Sequence, residues 1–161
     1  MNIRKATPAD LPAMLAIYEN ARRFMARHGN PTQWGTTDPS EAQLKSDIAN
    51  GNSYLCEADG KIAAAFYYKE GPDPTYAKIY QGSWPSEAPY GVVHRVASAG
   101  TVKGAGSFCL EWAFGQCGNL RIDTHRDNLV MQGLLKKLGF QQCGIILVEN
   151  GSERIAYQKS K

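Results

Sequence analysis

The sequence changes from a turn to a helix at residues 101–114, which read TVKGAGSFCLEWAF. Two glycines, Gly104 and Gly106, allow the backbone to turn tightly and to point consecutive N–H groups at one place. An apolar stripe at helical spacing follows them, formed by Leu110, Ala113, Phe114 and Cys117. The turn lacks the GxxxxGK[ST] spacing and the third glycine of the dinucleotide fingerprint. These two nucleotide-binding motifs are therefore excluded. The two glycines before a helix predict either a tight strand-to-helix connection or a site for a phosphate or pyrophosphate.

Periodicity and turn signals predict the elements on both sides of this turn. Before it, we expect a strand at 2–4, helices from Pro8 to about 28 and from 41 to 50, a hairpin of strands 53–58 and 61–68 around Asp59-Gly60, a long connection at 70–89, and a strand at 90–98. After it, we expect the helix, a strand at 120–125, a helix around 131–138 and strands at 140–148 and 154–159. The order β-α-α-β-β-β-α-β-α-β-β predicts an α+β fold with about four helices on a mixed, mostly antiparallel sheet of about six or seven strands.

Length and composition predict one domain over residues 1–161. The net charge of +3 is mild and dispersed, so nucleic acid is not an expected partner. No apolar run reaches the ~20 residues of a membrane span, so a membrane is not expected either. The four cysteines form no CxxC pair and the first residues lack a signal-peptide core, which predicts a cytoplasmic protein with reduced thiols.

A second motif lies at residues 123–140, which read DTHRDNLVMQGLLKKLGF. Together with the turn it resembles the GNAT superfamily of N-acetyltransferases. The signature of that family is [Q/R]-x-x-G-x-[G/A] after a strand, then a helix, a strand, an asparagine that opens the next helix, and a closing L-G-F. Here the first part runs from Thr101 to Gly106, and the second from Asn128 to Leu138-Gly139-Phe140. The element order is similar over nearly the whole chain, and the resemblance implies a splay between the two central strands.

The resemblance implies acetyl-CoA as co-substrate, and no metal. It implies that backbone amides of residues 102–107 hold the pyrophosphate and that the pantetheine arm lies beside the strand at 96–98. The implied cofactor-binding residues are Val96, Ala97, Ser98, Thr101, Val102, Lys103, Gly104, Ala105, Gly106, Ser107, Asn128 and Met131. Thr101 replaces the usual Gln or Arg. This replacement is expected to weaken cofactor binding little, because the backbone amides make most of the contacts. Lys103 either adds a charge beside the phosphates or is simply solvated.

Leu135 departs from the family, in which many members carry a tyrosine credited with protonating the departing thiolate. The spacing also assigns Leu135 to the apolar stripe of its helix. We expect the side chain to point toward the thioester, because Leu134 and Leu138 can anchor the helix without it. The acid catalyst therefore stays unassigned, and transfer by direct attack on the thioester is expected to proceed more slowly or with help from water.

The candidates for the general base lie near the expected splay. His94 is in the strand implied to hold the thioester, and Asp123 and His125 share one face near the end of the neighbouring strand. A histidine has a suitable ordinary pKa for removing a proton from an amine. His94 can equally be a hydrogen-bonded strand residue, and Asp123 and His125 can equally form a polar strand end.

The resemblance implies that the acceptor binds against the first helices and nearby loops. This indicates four aromatic residues, which can contact a cationic amine or can pack in the core: Phe24, Trp34, Tyr80 and Trp84. The predicted activity is acetyl transfer from acetyl-CoA to a primary amine of a small molecule, while a protein N-terminus or lysine stays open as acceptor. The alternative is a catalytically weak or inactive CoA-binding sensor or interaction module. The sequence leaves a homodimer open.

Overall fold

The computed structural model describes all 161 residues, which form a seven-stranded sheet with helices on both faces. The elements are β1 (Asn2–Lys5), α1 (Leu11–Arg27), α2 (Glu41–Ala49), β2 (Ser53–Ala58), β3 (Lys61–Glu70), β4 (Gly91–Ser98), α3 (Ala105–Cys117), β5 (Asn119–Thr124), α4 (Leu129–Lys137), β6 (Gln141–Leu147) and β7 (Glu153–Ser160). The predicted α+β class, element order and number of helices are confirmed. None of the helices is both long and apolar enough to cross a membrane.

The sheet has the order β1-β2-β3-β4-β5-β7-β6 and contains one parallel pair, β4 with β5. These two strands pair only through Gly91 with Leu120 and Val92 with Arg121. Beyond Val92 they separate, while β4 continues to pair with β3 as far as Ser98. The implied splay between the central strands is therefore confirmed, and it leaves one edge of β4 open.

A bulge at Arg95 bends β4 beside this opening. Arg95 has a φ of 54°, which is a costly conformation for a residue with a long side chain. The Arg95 side chain donates to both carboxylate oxygens of Asp47, at 3.0 and 3.1 Å, and the Tyr18 hydroxyl donates to the Arg95 carbonyl at 2.6 Å. Contacts to α1 and α2 therefore hold the bend in place.

Apolar residues cover both faces of the sheet. The larger cluster packs α3 and α4 on one face and includes Phe66, Leu110 and Leu135, while α1 and α2 cover the other face around Tyr18 and Leu44. Residues of the connection between β3 and β4 form a third cluster with residues of β4, β6 and β7. A sequence of that length without long elements suggests a mobile loop, yet Tyr76 and Trp84 are buried in it.

Candidate functional site

A groove of about 1330 Å³ opens where β4 and β5 separate. Its walls come from β4, the first turns of α3 and α4, the end of α1 with the segment that follows it, and Asp73 to Thr75 of the β3–β4 connection. One end of the groove presents backbone N–H groups, and the other end presents ionisable side chains.

The N-terminus of α3 forms the first end. Gly104 precedes the helix with a φ of 86°, a left-handed conformation that glycine adopts without strain. The backbone amides of residues 102–107 donate to no backbone carbonyl, and the first helical bond runs from the Phe108 amide to the Gly104 carbonyl. No heavy atom lies within 4 Å of the position that a Gly104 side chain would occupy. This open cluster of N–H donors at a helix N-terminus fits a phosphate or pyrophosphate.

The residues implied to bind the cofactor fall into two groups. The groove is lined directly by Val96, Ala97, Ser98, Gly106, Asn128 and Met131. Thr101 to Ala105 and Ser107 form the turn and first helical turn beside it, and the Ala105 side chain is buried in the core. Asn128 caps α4 by accepting from the Met131 amide at 3.0 Å, and its amide group donates to Gln33. Asn128 thus joins the start of α4 to the segment after α1.

His94 lies at the other end between two carboxylates. Its Nε2 donates to Asp73 Oδ2 at 2.8 Å, and its Nδ1 lies 3.8 Å from Asp123 Oδ2. The Tyr76 hydroxyl donates to the same Asp123 oxygen at 2.7 Å. Burial raises the pKa of Asp73, but hydrogen bonds from His94 and Thr75 outweigh this and lower the pKa to about 2. Asp73 is therefore a stable carboxylate that orients the ring and leaves Nδ1 toward Asp123.

His125 lies apart from this cluster and does not line the groove. Its Nδ1 accepts from the Asp127 amide at 3.0 Å, so Nε2 carries the proton and lies 3.2 Å from the Thr32 hydroxyl. Burial and the nearby Arg154 lower the pKa of His125 below its ordinary value. The structure brings His94 and Asp123 together and leaves His125 outside.

Two of the four predicted aromatic contacts line the groove, namely Phe24 and Trp34. Trp84 does not, because its ring covers the buried guanidinium of Arg121 at 4.0 Å and its indole donates to the Tyr76 carbonyl. Tyr80 does not line the groove either; its backbone pairs with Ile145 at the edge of the sheet, and its side chain is exposed. The structure therefore places Tyr80 and Trp84 outside the groove, and only Phe24 and Trp34 stay as proposed acceptor contacts.

Sequence reasoning missed Asp73 and Tyr76 as members of the polar cluster. Both come from the β3–β4 connection, which was singled out only for its length and aromatic residues. Asp73 precedes Pro74 and Thr75 and accepts from the Thr75 amide at 2.9 Å, so a short helical turn starts at this aspartate. That start signal was readable in the sequence, but the contact with His94 depends on the fold.

The expectation that Leu135 points toward the groove is wrong. Leu135 is completely buried in the core between α4 and the sheet, while its neighbours Met131 and Leu134 line the groove. Met131 and Leu134 lie on the side of α4 that faces the groove, and Leu135 lies on the side that faces the core. The Leu135 side chain therefore does not reach the groove.

Leu135→Tyr is expected to lose about 1 to 3 kcal/mol of stability, because a larger ring must enter a filled core. Thermal unfolding measures this loss. Leu135→Met keeps the volume and is the matched control, with a melting temperature close to that of the native protein. A Leu135→Tyr protein with native stability and a faster release of thiol would contradict the buried placement.

No model of a known protein family and no curated protein matches the chain. Solved structures do match it. An acetyltransferase of the GNAT family from Streptococcus agalactiae is 32% identical, with 99% of this chain and 95% of that one covered and a TM-score of 0.83. A ribosomal-protein-alanine N-acetyltransferase from Brucella melitensis is 22% identical, with both chains covered fully and a TM-score of 0.67. A GNAT phosphinothricin acetyltransferase from Sinorhizobium meliloti, in complex with AcCoA, is 17% identical over 98% of this chain and 86% of that one, with a TM-score of 0.65. The last two likenesses concern the fold alone.

Proposed function

Because the chain belongs to the GNAT family of acetyltransferases, we propose that it transfers an acetyl group from acetyl-CoA to a primary amine, most simply on a small molecule. The observation that carries this proposal is the groove itself, which joins a helix N-terminus with unpartnered amides to an oriented histidine. These are the two requirements of the reaction, an anchor for the donor and a group that removes a proton from the amine.

The donor would bind along the open edge of β4. The unpartnered amides of residues 102–107 would hold its pyrophosphate, and the free edge at Val96 to Ser98 would pair with the amides of its pantetheine arm. Acetyl-CoA supplies the activated acetyl group when it is bound. Met131 and Leu134 provide apolar contact on the α4 side.

The amine would bind between His94 and Asp123. An ammonium group in this position can donate to Asp123 Oδ2 and to His94 Nδ1, which lie 3.8 Å apart. Asp73 fixes the proton on Nε2, so Nδ1 is the nitrogen free to accept a proton from the amine. Asp123 then stabilises the imidazolium that forms. His94 acts as the general base, and Asp73 and Asp123 position it and its substrate.

Leu135 cannot protonate the departing thiolate, because a leucine side chain has no acidic hydrogen and this one is buried. A thiol with an ordinary pKa near 8.5 is already a fair leaving group at neutral pH. We propose that water protonates it. The same feature favours the alternative of a weak or inactive CoA-binding module, in which the groove binds CoA without transfer.

A panel of primary amines with a thiol-reactive dye separates the two functions. An enzyme releases thiol from acetyl-CoA faster when one class of amine is present than when amine is absent, and the rate rises with the concentration of that amine. A binding module is stabilised by acetyl-CoA but releases no thiol with any amine, and this result would overturn the proposed transfer.

A further inference from the structure

Arg154 is a buried cation in the groove without an acidic partner. It lies at the start of β7, is 9% exposed and lines the groove. Its guanidinium donates to the carbonyls of Glu153, at 3.1 Å, and Gln33, at 3.2 Å. No carboxylate oxygen lies within 4.0 Å of it. Two neutral acceptors leave donors of the five-donor guanidinium free, and the negative charge of Asp123 acts on it only from beyond 4.0 Å.

The other largely buried arginines each have a carboxylate oxygen within 4.0 Å. Arg95 pairs with Asp47 at 2.9 Å, and Arg121 lies 3.8 Å from Glu87 between two aromatic rings. A buried charge is costly unless it is paired, so an unpaired one in a groove indicates a partner that arrives with a ligand. Burial lowers the pKa of Arg154, and the negative charge of Asp123 only partly opposes this effect.

The strand register brings Arg154 close to the amine site. Asp123 of β5 pairs with Ala156 of β7, and Arg154 lies two residues earlier on β7, so its side chain is on the same face as that of Asp123. Diagonal neighbours of this kind are roughly 7 to 8 Å apart. One small molecule can therefore contact both residues.

We propose that the acceptor is a small amino acid, whose carboxylate pairs with Arg154 while its amine lies between Asp123 and His94. The proposal rests on the proposed acetyl transfer. The groove presents a cation beside an anion, and a zwitterion with adjacent ammonium and carboxylate groups matches this arrangement. The planar guanidinium suits a carboxylate because it can donate two parallel hydrogen bonds. An amine without a carboxylate leaves Arg154 unpaired and is repelled by it.

The test compares each standard L-amino acid with its own carboxamide, which keeps the amine and removes the negative charge. With saturating acetyl-CoA, we expect at least one acid to exceed its amide in kcat/KM by on the order of 100-fold. In Arg154→Gln, the ratio of acid to amide should fall to near one. Arg154→Lys keeps the positive charge but loses the planar guanidinium, so it should keep an intermediate ratio of acid to amide. This second variant keeps the test valid if Arg154→Gln fails to fold.

A second readout does not need turnover. In the presence of CoA, the preferred acid should raise the melting temperature of the native protein more than its amide does, and Arg154→Gln should abolish the difference. Amides or simple amines that equal the acids in both rate and stabilisation would overturn the inference while leaving acetyl transfer intact. If no compound releases thiol, the proposed transfer fails, and the carboxylate site is then judged by the stabilisation alone.

Discussion

Replacing His94 by alanine is expected to lower kcat/KM for an accepted amine by about 10²- to 10⁴-fold, the usual contribution of a general base. The ring nitrogen that faces Asp123 is lost, and the amine must then lose its proton to water. Affinity for acetyl-CoA should be retained, because the amides of residues 102–107 lie at the other end of the groove. Initial rates of thiol release, together with the melting shift caused by acetyl-CoA, measure both quantities.

His125→Ala is the matched control. This histidine follows the neighbouring strand but lies outside the groove, with both ring nitrogens engaged by residues of its own surroundings. Its removal should leave kcat/KM close to the native value. Near-native rates of His94→Ala from pH 6 to 9 would show that another group removes the proton, and a large loss in His125→Ala alone would move the base to that residue.

Gly104→Glu is expected to abolish the stabilisation by acetyl-CoA. A ligand at 100 times its dissociation constant adds about 2.7 kcal/mol, which for a domain of this size corresponds to roughly 5 to 10 °C in melting temperature. The glutamate places a negative charge beside the unpartnered amides, and its backbone is strained at the φ of 86°. Both effects oppose a pyrophosphate at this helix N-terminus.

Gly115→Glu controls for the added charge. Gly115 is exposed in the last turn of α3, far from its N-terminus, and a side chain there meets no heavy atom within 4 Å. This variant should keep the melting shift. A folded Gly104→Glu protein with a native shift would contradict the assignment of the pyrophosphate to the start of α3.

Local signals predicted the elements because their causes are local. Ser40 accepts from the Gln43 amide and opens α2, and Asp59 and Gly60 both have the positive φ that the hairpin turn requires. The α3 start at the two glycines followed from the same reasoning. The splay beside Val92 has no such signal, because it depends on where two strands far apart in sequence cease to pair, and it was implied only by the family resemblance.

Residues whose role depends on distant contacts were harder to predict. Periodicity placed Leu135 on an apolar stripe, but it could not show whether that turn of α4 faces the sheet or the groove. The sequence indicated Trp84 as an acceptor contact, but its ring packs against Arg121. Asp73 reaches His94 across 21 residues of sequence, and Arg154 reaches the groove from β7, near the end of the chain. Only the assembled sheet brings these groups together.

Transfer of a labelled acetyl group tests the central claim most directly. Acetyl-CoA with a ¹³C-labelled acetyl group would be incubated with the native protein and the preferred amine, and the products identified by mass spectrometry and NMR. We expect one labelled acetyl group on the acceptor nitrogen for each thiol released, and a rate that depends on His94. Label that remains on CoA, or that appears only as free acetate at a rate independent of the amine, would contradict acetyl transfer by this protein.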